Sequence, residues 1–153
     1  MSTGEPLRRY DHDQRGAAEE LAARQAELVA ALVAGGADPP GFDPARLDAT
    51  RRALLRKRAG EAAKVWPMLA GSFGKEWPAV FGEHRSGHPP VGALRDGWDV
   101  ALALRAAGRL TPEAADELAA HEAELRYDGA STPTPRRWRW LRHMVSRRGN
   151  GAS

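Results

Sequence analysis

Apolar residues recur in the N-terminal part of the chain at the three- and four-residue spacing of a helix that buries one face. The spacing predicts a helix from Gln14 to about Ala34. On that helix, one face carries Leu21, Leu28 and Leu32. The pair Gly35-Gly36 predicts its end, because glycine readily adopts the backbone conformation that closes a helix. The polar residues 1–13 that precede the helix predict a disordered leader.

Prolines delimit the next two predicted helices. Asp43-Pro44 is a helix-capping residue followed by a proline in the first helical position. The second helix ends before Pro67, because the residue that precedes a proline avoids the α conformation. An aromatic stripe over 72–83 predicts a third helix, which either starts near Lys75 with Pro78 in its first turn or is kinked at Pro78. The stripe consists of Phe73, Trp77, Val80 and Phe81.

The remaining periodic segments decide the predicted fold class. A fourth helix is predicted from about Val91 to Ala107, and a fifth from Thr111-Pro112 to about Arg126. No stretch alternates with a period of two and β-branched residues are scarce, so we expect an all-α fold, a single bundle of about five helices over residues 14–129. Three tryptophans lie within apolar periodicities and are expected in the core: Trp66, Trp77 and Trp98.

The basic charge of the chain is concentrated at its C-terminal end. The whole sequence has 23 lysines and arginines against 20 acidic residues, a formal charge of +3, and a pI near 9.8. Residues 130–153 contain six arginines and no acid, so the rest of the chain has 17 basic and 20 acidic residues, a balance of −3. This distribution indicates a basic arm on an acidic-leaning body rather than a basic globule.

The arm consists of a Pro/Ser/Thr linker, residues 130–135, and a basic amphipathic segment that would form a short sixth helix. Its arginines and tryptophans are the residue types most enriched at binding hot spots. Three interpretations stay open: a helix that packs on its own bundle, an anchor for a protein partner, or an arm for a membrane surface or nucleic acid.

The second predicted helix contains a second basic run, which consists of Arg51-Arg52 and Arg56-Lys57-Arg58. This run is either a docking or phosphate-contacting surface or a solvated face paired with acids of the fifth helix. The two basic segments together give the candidate partner-binding residues, which are Arg52, Arg56, Arg58, Arg136, Arg137, Trp138, Arg139 and Trp140.

Candidate chemistry within the chain itself is sparse. The absence of cysteine rules out disulfides, thiolate catalysis and cysteine-ligated metals. His84 and His88 have a metal-ligand spacing, but glycine and prolines around them predict a loop, and no third ligand is evident. Asp96 and Asp99, beside Arg95, are expected on an exposed, solvated face. We find no phosphate-binding glycine loop and no nucleophile elbow, and we expect no enzyme activity, no cofactor and no metal in this chain.

Membrane insertion and secretion are not predicted either. No window approaches about 18 uninterrupted apolar residues, and residues 1–13 lack the apolar stretch of a signal peptide. We expect a cytoplasmic protein.

The middle of the chain resembles one bacterial family over roughly residues 20 to 127. The similarity runs through an arginine-bearing helix, an aromatic-Pro-x-Leu bend, an aromatic helix, a proline loop and a further helix. The matching residues are Leu54-Leu55-Arg56-Lys57-Arg58, Val65-Trp66-Pro67-Met68-Leu69, Phe73, Trp77, Phe81, Pro89-Pro90, Gly97-Trp98, Leu102, Leu104, Gly108-Arg109-Leu110-Thr111-Pro112, Ala119 and Glu122. The family comprises partner subunits of the multinuclear non-haem iron-dependent oxidases, which modify cysteine and related residues in ribosomally made peptides. The methanobactin-biosynthesis partner protein belongs to it, and the same domain has been labelled a DNA-binding domain.

The resemblance implies a non-catalytic adaptor subunit. The iron would belong to the partner oxidase, and this chain would bind and orient. Similar family members usually add a strand-containing domain that helps hold the precursor peptide, and here the linker and the Arg/Trp tail, residues 130–153, stand in its place. We therefore expect an oxidase-like protein partner, with the precursor peptide as a second partner. DNA binding and association with a membrane surface through the tail are the alternatives.

Overall fold

A computed structural model describes the backbone of residues 5–136, and the side chains from residue 14 onward. Apart from one two-stranded pairing, the regular structure in this part of the chain is helical, which confirms the predicted all-α class. A 3₁₀ turn, Gly74–Glu76, separates the third and fourth helices. The elements are α1 (Glu5–Val33), α2 (Pro44–Val65), α3 (Pro67–Phe73), α4 (Trp77–Arg85), α5 (Ala93–Ala106), α6 (Pro112–Glu124), β1 (Leu125–Arg126) and β2 (Thr134–Pro135).

The chain forms two compact units. The described residues of the N-terminal unit are 5–55 and 86–90, and those of the C-terminal unit are 56–85 and 91–136. Helix α1 begins at Glu5, earlier than the predicted start at Gln14, and so takes in residues 5–13, which the sequence assigned to a disordered leader. The division into leader, bundle and tail otherwise stays a prediction, and the possible sixth helix lies outside the described residues.

Capping groups fix the loop between α1 and α2 in the N-terminal unit. The amides of Ala34 and Gly36 both donate to the carbonyl of Ala30 at 3.0 Å, and Gly35 has a φ of 70°, so the predicted glycine stop is confirmed. Asp43 caps α2 by accepting from the Ala45 amide at 3.0 Å. The loop from the end of α1 to the start of α2 is therefore held at both ends.

Arg51 links the two helices and the loop in this unit. Its Nε donates to the carbonyl of Ala31 at 2.9 Å, Nη1 donates to Asp48 at 2.9 Å, and Nη2 donates to Asp38. The hydrogen bonds to Asp38 and Asp48 raise the pKa of Arg51 above its ordinary value. One side chain therefore satisfies a helix-end carbonyl and positions the loop.

The core of the C-terminal unit is built around the three predicted tryptophans, all of which are buried. The Trp66 indole donates to the carbonyl of Leu94 at 3.0 Å and meets Trp98 edge-on, with ring centroids 5.7 Å apart. The Trp77 indole donates to the carbonyl of Ala59 at 2.8 Å. Each of these indole N–H groups therefore has an acceptor inside the apolar core, as a buried polar group requires.

The third predicted helix is divided in two in the structure. Gly74, with a φ of 53°, ends α3 and opens the 3₁₀ turn, and Pro78 then lies in the first turn of α4, which is one of the two predicted arrangements. Helix α3 has no side-chain cap of its own. Instead, the Glu117 carboxylate of α6 accepts from the amides of Met68 at 3.1 Å and Leu69 at 2.7 Å.

None of the helices in the described part of the chain is long and apolar enough to span a membrane.

Candidate interaction site

The segment that leads into the basic tail is a folded hairpin, not a free linker. Leu125 pairs with Pro135 and Arg126 with Thr134 in an antiparallel register. The Arg136 amide then donates to the carbonyl of Glu124 at 3.0 Å, and its Nε donates to the carbonyl of Leu125 at 3.3 Å. Helix α6 consequently ends at Glu124, slightly before the predicted end, and residue 136 starts the tail from a fixed point.

Asp128 organises the turn of this hairpin. Its carboxylate accepts from the Ser131 hydroxyl at 2.6 Å, the Ser131 amide at 2.7 Å and the Ala130 amide at 2.9 Å. These hydrogen bonds, the Ser131 hydroxyl first, hold the pKa of Asp128 far below its usual range. Gly129 follows with a φ of 83°, a conformation that favours glycine. The turn is therefore specified by its own sequence.

Two side chains tie the hairpin to helix α5. The Tyr127 hydroxyl donates to Asp99 Oδ1 at 2.6 Å, and Arg95 donates to the carbonyl of Ala130. The Arg95 guanidinium also lies over the Tyr127 ring, 5.8 Å from its centroid. Burial, and then the hydrogen bond to Asp99, raise the pKa of Tyr127 above its ordinary value.

The raised pKa of Tyr127 gives a measurable prediction. The folded chain favours the neutral phenol of Tyr127. This stabilisation is complete at pH values below the pKa of tyrosine in the unfolded chain, about 10. It is lost as the pH rises through the higher pKa of Tyr127 in the folded chain. The chain has two tyrosines, so subtracting the phenolate absorbance titration of Tyr127→Phe from that of the wild type isolates Tyr127. We expect a midpoint above the ordinary tyrosine value. A midpoint at or below it would contradict the described anchor.

A buried charge network lies next to the hairpin anchor. Asp96 is only 3% exposed and accepts from Arg58 Nη2 at 2.8 Å and Nε at 3.2 Å. It also pairs with Arg85 Nη2 at 3.0 Å, while Arg85 Nη1 donates to Asp99 at 2.9 Å. The prediction that Asp96 and Asp99 form an exposed, solvated face is wrong, because arginines from α2 and α4 neutralise them within the unit.

The candidate partner-binding residues are placed differently from one another. Arg58 points into this network and is paired within the unit, but it does not lie on a solvated face. Its acid, Asp96, lies on α5, which is the fourth predicted helix, and not on the fifth predicted helix. Arg52 and Arg56 are exposed on α2, and Arg136 is exposed at the end of the hairpin. The remaining candidates lie outside the described residues: Arg137, Trp138, Arg139 and Trp140.

The N-terminal unit has an open groove that the sequence did not predict. One wall is helix α1 and the other is the proline loop, and the groove encloses about 500 Å³. Leu21, which the helical period places on the apolar face, is 58% exposed, and Phe42 on the other wall is 49% exposed. The lining residues are Leu21, Arg24, Gln25, Glu27, Leu28, Pro39, Pro40 and Phe42. The sequence signal for it is the Pro39-Pro40-Gly41-Phe42 loop, which places an aromatic next to two rigid residues.

The histidines do not come together with other metal-binding side chains in the part of the chain that the structure describes. His84 lies in the last turn of α4, and Nδ1 of His88 is 3.0 Å from the carbonyl of Ser86. Between residues 14 and 136, no group of three or more His, Asp or Glu side chains is arranged to hold a metal ion.

Comparison with known proteins gives a family but no solved structure, since none matches the chain. A relative from Streptomyces avermitilis, described as a UPF0276 protein, is 45% identical over 101 residues, which are 65% of this chain. The chain spans only 20% of the length of that relative. The family model described as SCO6045-like, C-terminal domain matches residues 22–106. That match covers more than half of the sequence, and the chain therefore belongs to the SCO6045-like C-terminal domain family.

Proposed function

We propose that this protein is a non-catalytic adaptor that docks on a multinuclear non-haem iron oxidase-type enzyme, which modifies ribosomally made peptides. The observation that supports this most is the Streptomyces relative, in which the matched region makes up only 20% of the polypeptide. In that protein the domain is covalently joined to a much larger part. A domain that is fused to a larger part in one protein is suited to bind the equivalent of that part non-covalently where the two are separate chains.

The hairpin contributes to docking by fixing where the tail begins. Because the Arg136 backbone is held by the carbonyl of Glu124, the tail does not have to order its first residue on binding. A fixed starting point lowers the conformational entropy lost in the complex. Trp138 and Trp140 would be the buried anchors, and the arginines around them would pair with carboxylates of the enzyme.

The exposed arginines of α2 supply a further contact in this proposal. Neither Arg52 nor Arg56 forms an ion pair with another described residue, so each guanidinium is available to an acidic surface. Arg58 has a different role. Its pair with Asp96 holds α2 against α5 inside the C-terminal unit, so we assign it to the framework rather than to the contact surface.

Co-purification tests the proposal directly. The full chain is co-expressed with a multinuclear non-haem iron oxidase from the same genome, and the dissociation constant of the purified pair is measured by titration calorimetry. We expect a stable complex in which Trp138→Ala combined with Trp140→Ala weakens binding about tenfold or more. Arg147→Ala combined with Arg148→Ala, at the far end of the same tail, is the matched control and should have a smaller effect.

The possible results separate the alternatives. The absence of any complex contradicts the adaptor function. A complex that tolerates the double tryptophan substitution removes the tail from the mechanism. Binding of duplex DNA whose affinity falls steeply with salt, by a log–log slope of about −0.9 per phosphate contacted, would favour the DNA-binding alternative.

A further inference from the structure

The groove of the N-terminal unit has the composition of a peptide-docking site. Its two walls present exposed apolar side chains, Leu21 from α1 and Phe42 from the proline loop. Pro39 and Pro40 stiffen one wall, since proline fixes its own backbone torsion. The opposite wall is a regular helix. A groove with two rigid walls loses little conformational entropy when it is filled.

The charges along the groove indicate what fills it. Arg24 and Glu27 both line it, and neither is paired with another described side chain. The two residues are three apart on α1, a spacing at which they could pair with each other, but they do not. The groove therefore offers a free guanidinium and a free carboxylate beside its apolar side chains.

The groove lies almost wholly within the region that matches the family. The family match covers residues 22–106 and so takes in every lining residue of the groove except Leu21. The groove is therefore part of the domain that the family shares rather than of the segments that flank it in this chain.

We propose that the groove binds a segment of the same enzyme on which the tail docks. This proposal rests on the proposed function. The segment inserts one large apolar side chain between Leu21 and Phe42. An acidic residue beside that anchor pairs with Arg24, and a basic residue pairs with Glu27. The adaptor thus holds its enzyme at two places, the groove and the tail, and the two contacts reinforce each other through effective concentration.

The test compares substitutions inside and outside the groove in the full-length chain. Leu21→Ser and Phe42→Ala are each expected to raise the dissociation constant of the enzyme complex about tenfold or more. Arg24→Glu should weaken binding and slow association, because it reverses one complementary charge. Val29→Ser is the matched control: Val29 lies on the same helix and is 57% exposed, against 58% for Leu21, but does not line the groove. Its effect should stay within about twofold.

Circular dichroism of each variant checks that the helices are retained, as expected for exposed positions. A wild-type complex that none of the three groove substitutions weakens would overturn the groove assignment while leaving the proposed function intact. Failure of the wild-type chain to bind the enzyme would contradict the proposed function as well. A wild-type dimer in light scattering that Leu21→Ser converts to a monomer would show a second copy in the groove, and would overturn the proposal.

Discussion

Replacing Asp96 with alanine is expected to lower the free energy of unfolding of the C-terminal unit by about 3–5 kcal/mol, because it removes the carboxylate from a buried charge network. Asp96 accepts from Arg58 and pairs with Arg85, both of which are largely shielded from water. Without the carboxylate, two guanidinium groups face each other with less negative charge between them. Unfolding in urea, followed by tryptophan fluorescence, measures the loss, since Trp66, Trp77 and Trp98 all belong to this unit.

Two comparisons separate the stability effect of the buried network from the effect of removing any carboxylate. Glu61→Ala removes an exposed carboxylate that pairs with Lys64 at 2.9 Å, and it should lower the free energy of unfolding far less than Asp96→Ala does, because water screens an exposed pair. The combination of Arg58→Ala with Asp96→Ala should cost less than the sum of the single substitutions, because each single change leaves a buried partner unmatched. Equal effects of Asp96→Ala and Glu61→Ala would contradict the described network.

The features that the sequence predicted well are those that depend on neighbouring residues. Gly35 ends α1, Asp43 caps α2, and Thr111 caps α6 by accepting from the Ala114 amide at 3.3 Å. A cap is decided within four residues of chain, so its signal is local. The burial of the tryptophans was predictable for a related reason, since the helical period places them on an apolar face.

The charge network was not predictable because its partners are distant in sequence. Arg58 and Asp96 are separated by 38 residues. In the sequence alone, Asp96 and Asp99 are two carboxylates three positions apart, which is the pattern of a solvated helix face. Only the packing of α2 and α4 against α5 reveals that arginines surround it. The sequence assigned Arg58 to a partner for the same reason: a basic run does not indicate which of its members points inward.

The groove and the hairpin were missed for different physical reasons. Periodicity identifies the apolar face of α1 but does not say whether another element covers it, and Leu21 is left uncovered. The hairpin strands have two residues each, which is too short for an alternating pattern to be recognised. Both features belong to the proposed docking surfaces. Local sequence patterns therefore describe these proposed surfaces only in part.

Gly97 is expected to be the most sensitive glycine among the described residues. It lies within α5 directly against the indole of Trp66, and a methyl group at this position would lie 2.2 Å from Cδ1, 2.4 Å from Nε1 and 2.7 Å from Cγ. The ring cannot move aside freely, because its N–H is bound to the carbonyl of Leu94 and its face lies against His121, with centroids 4.1 Å apart. The absence of a side chain at Gly97 is therefore a packing requirement.

Gly97→Ala should consequently lower the free energy of unfolding by about 3 kcal/mol, the upper part of the usual range for overpacking. Gly60→Ala is the matched control. Gly60 lies inside α2 with open space where the methyl group would go, so alanine there should raise the free energy of unfolding by about 0.5–1 kcal/mol through its helix preference. Urea unfolding of both variants should therefore give shifts of opposite sign.

Combining Gly97→Ala with Trp66→Phe should lower the free energy of unfolding by less than the sum of the two single substitutions, because the smaller ring makes room for the methyl group. A Gly97→Ala variant as stable as the wild type would show that Trp66 does not occupy this position.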